Sequence, residues 1–277
     1  MYENFDAPDL TYPRVFNVRD SSRAYEEILG ITGFSQFSKK PEGEKVEFDK
    51  LLQAYSKRFT HETWGKGYQI SFEAMSDDID GAITNAAPAL ARIARNSIET
   101  EIFSVYNNAF GTTTTPDGQA LCADAHVLVG GGTFDNLLTG DIAQSTIESA
   151  LNIFSDMRDE RNQLINMEGS ILLQHPNNRW ITHELLKSQL RSDTNANASN
   201  ALNQLGLETV FSKYLTDTDA WFLLSDPDMH RVIVYWREEP FSDSTLDFDT
   251  RNMKTAMFYR LSTGAADWRG VVGSQGA

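Results

Sequence analysis

From Asp77 to Tyr106, apolar residues recur at spacings of three and four: Ile79, Ile83, Ala86, Leu90, Ile93, Ala94, Ile98, Ile102, Val105 and Tyr106. That period predicts one amphipathic helix of about 30 residues, longer than the roughly 8 to 20 of ordinary globular helices. Asp77 or Asp78 is placed to cap its start, and Gly111 lies beyond its end. A long helix with a single apolar stripe needs a partner surface along its whole length, so the rest of the chain has to be organised around it. Pro88 falls inside the pattern and is expected to kink the helix or mark off a short first segment.

The flanking segments have other periods. Residues 1–32 scatter Tyr2, Phe5, Tyr12, Phe16 and Tyr25 among charges, with a short helical pattern near residues 22–29. They read as an extended arm whose aromatic side chains need a surface to cover. From 33 to 75 the pattern is strand-like, with turn signals at Pro41-Glu42-Gly43 and Gly65-Lys66-Gly67. A long hairpin fits this stretch, with residues 48–55 as an alternative short helix. A two-stranded ribbon is marginal in water, so support from outside it, such as a second subunit, is expected. After the long helix come a Thr-rich loop with the turn Pro116-Asp117-Gly118, a short apolar run at 126–129, and a second amphipathic helix from about 139 or 141. Strands are expected at 170–174, 220–224, 232–236 and 255–261, a helix at 178–190, and a polar loop at 192–203. The sum is an α+β chain without βαβ alternation, which disfavours a doubly wound nucleotide fold.

Composition narrows the function classes. No run reaches the roughly 18 apolar residues of a membrane helix, and the start MYENFDAPDL lacks the flanks of a secretion signal. The single cysteine, Cys122, excludes an intrachain disulfide and a Cys-rich zinc site. A formal charge of −15 opposes a nucleic-acid reader, because phosphate neutralisation needs a cationic face. Only residues 39–66 run the other way, with seven Lys or Arg against five acids, which leaves −17 on the remainder. That segment fits DNA, the acidic surface of another copy, or an ordinary solvated surface.

No constellation carries chemistry. Gly130-Gly131-Gly132 lacks the lysine and the helix start of a phosphate loop and reads as a flexible loop. His175 and His183-Glu184 lack the spacing that puts two imidazoles on one metal. Gly273-Ser274-Gln275-Gly276 is misspaced for a nucleophile elbow. Cys122 and His126 stand four apart, but Pro116 and Gly118 favour loop geometry over a shared turn. The expectation is a chain that is not an enzyme and has no cofactor.

The order of parts, and several strings, carry a resemblance. Residues 110–126, FGTTTTPDGQALCADAH, resemble the Thr-rich, Pro-Asp-Gly and His segment of Mu-type and related phage head proteins. Asp156-Met157-Arg158-Asp159 followed by Ile171-Leu172-Leu173-Gln174-His175-Pro176 resembles their helix end and following strand, with Gln174 and His175 standing where an aliphatic residue is usual. Ala220-Trp221-Phe222-Leu223-Leu224-Ser225-Asp226 and Asp267-Trp268-Arg269-Gly270 resemble their Trp-Phe-Leu strand and closing motif. The first 109 residues match by architecture alone.

The chain thus resembles the major capsid proteins of tailed bacteriophages with the HK97-type capsid fold. The resemblance implies an N-terminal arm (1–32), an extended E-loop hairpin (33–75), a spine helix and P-domain (76–140, with 245–263 returning) and an A-domain (141–244, with 264–277). It implies hexamers and pentamers closing an icosahedral head around double-stranded DNA, assembled in the host cytoplasm and resident in the virion. Portal, scaffold and decoration proteins are the further partners implied, with no membrane. No scaffolding segment precedes the arm, so a separate scaffold or an already removed segment is expected. Lys39, Lys40, Lys45, Lys57, Arg58 and Trp64 are the expected inter-subunit contact residues. The alternatives are an encapsulin-like compartment, which shares the fold, and an unrelated soluble enzyme with a closed pocket.

Overall fold

The computed structural model describes residues 10–46, 48–50, 53–77, 85–188 and 200–277. In chain order these form β1 (Asn17–Asp20), β2 (Tyr25–Ile31), β3 (Gln53–Thr60), β4 (Glu62–Ile70), α1 (Phe72–Ser76), α2 (Ala86–Asn107), β5 (His126–Val127), β6 (Thr133–Phe134), β7 (Leu137–Leu138), α3 (Gln144–Ser155), β8 (Ile171–Gln174), α4 (Arg179–Lys187), β9 (Glu208–Phe211), β10 (Trp221–Leu224), β11 (Val232–Leu246), β12 (Met253–Ala265) and β13 (Val271–Ser274).

The long helix exists as α2, 22 residues ending at Asn107. The part of the expected helix at 78–84 lies outside the described residues. Pro88 sits in the first turn of α2, where a backbone N–H would have no intrahelical acceptor, so it starts the helix instead of kinking it. Leu90, Ala91, Ala94, Ile98, Ile102, Phe103, Val105 and Tyr106 are buried. The buried Glu99 on the same helix accepts hydrogen bonds from the Thr11 backbone N–H (2.6 Å) and hydroxyl (2.9 Å). Burial pushes its carboxyl up, and the Thr11 bonds work against that shift. Tyr106 donates to the Val15 carbonyl at 3.0 Å, and Phe16 packs on Phe103 and Tyr106 at 5.6 and 4.9 Å between ring centres. Tyr12 and Phe16 therefore find their surface on α2 and beneath β11.

Two sheets flank the helix. The first has the order β1-β11-β12-β4. Its centre is the long hairpin of β11 and β12, paired from Val232↔Ala265 to Leu246↔Met253. Register shifts on either side of Glu238 place Pro240 where the ladder is already broken, as a residue without an N–H requires. β4 adds to β12 in continuous register from Glu62↔Leu261 to Ile70↔Met253. The Gly65-Lys66-Gly67 turn expected from sequence is thus a mid-strand stretch. A Cβ at Gly65 would lie 2.5 Å from the Phe258 ring, and one at Gly67 would lie 2.6 Å from the Thr255 carbonyl, so these glycines serve close strand approach. The helical pattern at 22–29 is likewise strand β2, because pairing to β3 overrides a weak local period.

The second sheet has the order β7-β13-β10-β8-β9. All four residues of β10 are buried, which explains its unbroken apolar run. Phe222 meets Tyr106 at 5.1 Å and Phe110 at 5.3 Å, and Trp221 donates its indole N–H to the Gly140 carbonyl. α3 closes over this sheet through Ile147, Ala150 and Phe154. One continuous apolar cluster runs from Tyr12 through α2 into both sheets.

A buried polar knot joins the loop after α2 to the second sheet. Asn136 donates to the carbonyls of Leu121 and Val271 (2.9 and 3.0 Å) and accepts from the Ala123 N–H. His126, stacked on Trp268 at 4.6 Å, faces an oxygen with each ring nitrogen: Asn136 Oδ1 at 3.1 Å and Asp117 Oδ2 at 2.7 Å. Burial would raise the Asp117 carboxyl, but hydrogen bonds from His126 and the Thr115 hydroxyl outweigh it and hold the group below its ordinary value of 3.8.

Replacing Asn136 by Ala strands three buried backbone groups and is expected to cost about 2–4 kcal/mol, read as a lower denaturation midpoint. A carboxyl lowered on folding adds stability that is present above its ordinary value and is lost as pH falls through the folded one. Asp117→Asn is therefore expected to be destabilised at pH 7, with the gap to the parent closing below about pH 4.

Candidate interaction surface

The ribbon β2–β3 belongs to neither sheet. It pairs from Tyr25↔Thr60 to Ile31↔Gln53, and past Ile31 the chain enters a loop described at 32–46 and 48–50. Its inner side has an anchor: Phe59 is buried against Ile233, Tyr235 and Ala266, with Ile28 beside it and the Tyr235 ring 5.3 Å away. At its root, the buried His61 lies between two hydroxyls, Ser21 Oγ and Ser262 Oγ, each 3.0 Å from a ring nitrogen. The Ser21 hydroxyl donates to Glu26. Burial, followed by the Arg260 charge, lowers the imidazole pKa and favours the neutral ring. The support expected from outside the ribbon thus comes, at its root, from the chain itself.

The six residues singled out by sequence fall into two groups. Lys57, Arg58 and Trp64 bind their own chain. Lys57 donates to the Thr114 carbonyl at 2.7 Å, with desolvation holding its ammonium pKa down. The Arg58 guanidinium covers the Tyr25 ring at 3.6 Å. Trp64 stacks on Tyr259, 6.4 Å between centres and 13° between planes. Lys39, Lys40 and Lys45 instead share one concave stretch of the loop with Phe34, Phe37, Val46 and Phe48, and all of these are exposed. Phe37 is fully exposed and Phe48 is 92% exposed. Apolar rings beside cations are thus left uncovered on a loop whose ribbon has a braced root.

Several of the remaining sequence candidates have structural roles, while His183 and Glu184 are exposed on α4. Gly131 and Gly132 take φ of 93° and 94° in the turn between β5 and β6, and Gly130 lies so close to the Glu160 carbonyl that a Cβ would sit 2.9 Å from it. His175 accepts from the Asn177 N–H at the start of a short 3-10 turn. Cys122 is packed under Gly273, and burial pushes its thiol up, away from a reactive thiolate. Sequence reasoning passed over His61 and Asn136, whose roles depend on partners ten or more positions away.

The model of the family described as phage capsid protein matches residues 54–274. The chain belongs to the phage capsid protein family. Among solved structures it is similar to a chain of Mycobacterium phage Patience (11% identity, TM-score 0.59, covering 95% of this chain and 82% of that one). It is also similar to chains of Microbacterium phage Oxtober96 (11%, 0.57, 98% and 90%) and of the capsid of Myoviridae phage XM1 (11%, 0.58, 94% and 90%). No curated protein matches. The fold is of the HK97 type, as the order of parts led one to expect. As a phage major capsid protein the chain is a structural subunit that associates with copies of itself in the virion shell.

In this capsid protein the Phe37 and Phe48 rings are almost wholly exposed, and surface changes of that kind shift stability by about 0.5 kcal/mol or less. Phe37→Ser with Phe48→Ser is expected to leave the thermal midpoint of the monomer unchanged while weakening self-association, followed by sedimentation velocity.

Proposed function

We propose that this capsid protein closes, as hexamers and pentamers, into the icosahedral head of a tailed phage around double-stranded DNA. The observation that carries the reading is the loop after Ile31, where the fully exposed Phe37 stands beside the exposed Lys39, Lys40 and Lys45 on a ribbon rooted in the body. Burying one such ring on a neighbour contributes roughly 1.5–3 kcal/mol, before the cost of association, and every subunit repeats the contact. The lysines add pairing to a neighbour whose remainder is acidic. Each exposed pair is worth only about 0–1 kcal/mol, but it selects orientation.

In this reading the ribbon and its loop are the E-loop, α2 is the spine helix, the β1-β11-β12-β4 sheet is the P-domain and the five-stranded sheet is the A-domain. Relative to the division 1–32, 33–75, 76–140 with 245–263, and 141–244 with 264–277, this assignment takes β1 and β2 from the first segment, β4 from the second, β7 from the third and most of β11 from the fourth. A net charge of −15 suits a wall that repels packaged DNA and leaves it free to move. Assembly takes place in the host cytoplasm with portal and scaffold proteins, and decoration proteins bind the finished shell.

Negative-stain electron microscopy across protein and salt concentration tests the reading, with closed shells, tubes or capsomer rings expected. Lys39→Glu, Lys40→Glu and Lys45→Glu together are expected to abolish or misshape them. Unchanged shells would remove the lysines from the contact, and a monomer under every condition, with scaffold supplied, would end the assembly reading.

A further inference from the structure

The loop 32–52 has a narrow neck, and the neck is held by a part of the body far away in sequence. Across it, the Ser35 N–H and hydroxyl both donate to Asp49 Oδ2, at 2.5 and 2.6 Å. Beside it stands the turn 158–164. Arg161 Nη2 donates to the Lys50 carbonyl at 2.7 Å, and its Nη1 lies 3.5 Å from Asp49 Oδ1. Gln163 Nε2 donates to the Phe34 carbonyl at 2.8 Å. Both sides of the neck are therefore gripped, one by each side chain.

The turn itself is rigidly made. Asp159 Oδ1 accepts from the N–H groups of Arg161 and Gln163, both at 2.8 Å, and Asn162 takes the left-handed conformation at φ 63°. It is fastened to the body from two directions. Arg269 donates to the Arg158 carbonyl at 2.6 Å and to Glu160 Oε1 at 3.0 Å, while the Gly130 N–H donates to the Glu160 carbonyl at 2.6 Å. Gly33, at the start of the neck, runs so close that a Cβ there would sit 3.2 Å from Asp159 Oδ2. The ribbon's own register shifts between Leu29 and Ile31, just before the neck.

We infer that Arg161 and Gln163 are positioning residues: the turn 158–164 acts as a hook that fixes the direction in which the loop's aromatic and cationic tip projects toward a second copy of the chain. The tip is left uncovered by the hook, since Phe37 and Phe48 stay exposed, so the grip aims the loop and does not mask it. An aimed loop loses less conformational freedom on contact, so association is tighter for the same buried surface. The inference rests on the reading that the loop meets a second copy.

The test compares the full chain with Arg161→Ala/Gln163→Ala. Trypsin cuts after Lys50, at the carbonyl that Arg161 holds, so cleavage there, relative to cleavage after Lys39 in the tip, is expected to speed up several-fold in the variant monomer. The concentration at which light scattering first reports assembly is expected to rise about threefold to tenfold, with the monomer's thermal midpoint unchanged. Unaltered cleavage at Lys50 overturns the hook. Faster cleavage with an unchanged or lower onset overturns its aiming role and marks it as a parking contact. A parent chain that never assembles fails the assembly reading instead, and the cleavage ratio still decides whether the neck is held.

Discussion

The burial of one face of α2 is the contact on which the rest of the structure depends. Ile98, Ile102, Phe103 and Tyr106 are almost wholly excluded from solvent, and each meets side chains distant in sequence. Phe16 comes from the N-terminal side and Phe222 from the middle of the second sheet, while Leu90 and Ala94 receive Met257 from the first. Both sheets pack on this one helix. Removing the helix from between them would expose one continuous apolar cluster, which makes the subunit body cooperative.

The polar interior follows the same logic. Where chain segments meet without regular pairing, single side chains satisfy several backbone groups: Asn136 between the loop after α2 and β13, and His61 between the ribbon root and β12. Such residues add little net stability but permit irregular backbone to be buried. They fix where the loops leave the body. The ribbon leaves at His61, is braced by Phe59, and is steered at its neck by a turn belonging to the opposite side of the chain. The loop beyond it carries Phe37 and Phe48, which with Phe248 between β11 and β12 are the most exposed phenylalanines among the described residues.

Much of this was legible in advance because the signals are local. The stripe of α2, the run Trp221-Phe222-Leu223-Leu224 and the cationic bias of 39–66 depend on neighbours a few positions apart, which is the range over which periodicity and charge patterning speak. The failures are local signals overruled by distant partners. Gly65 and Gly67 look like a turn until Phe258 and Thr255 are brought against them. Residues 22–29 look helical until β3 offers a ladder. Lys57 and Arg58 look like their neighbours Lys39 and Lys45 until Thr114 and Tyr25 are seen to engage them.

By itself the sequence determined the α+β class, the central helix and the family to which the order of parts belongs. These are properties of period, composition and short strings, each encoded within a few residues. Only the tertiary structure decided which cations remain free for a partner, that the ribbon's root is supported from within the chain, and that a turn at 158–164 grips the neck of a loop more than 100 positions earlier. The physical reason is that a side chain's freedom depends on what else is folded against it. Contacts such as Arg161 to the Lys50 carbonyl exist only once the core has brought both segments to one place.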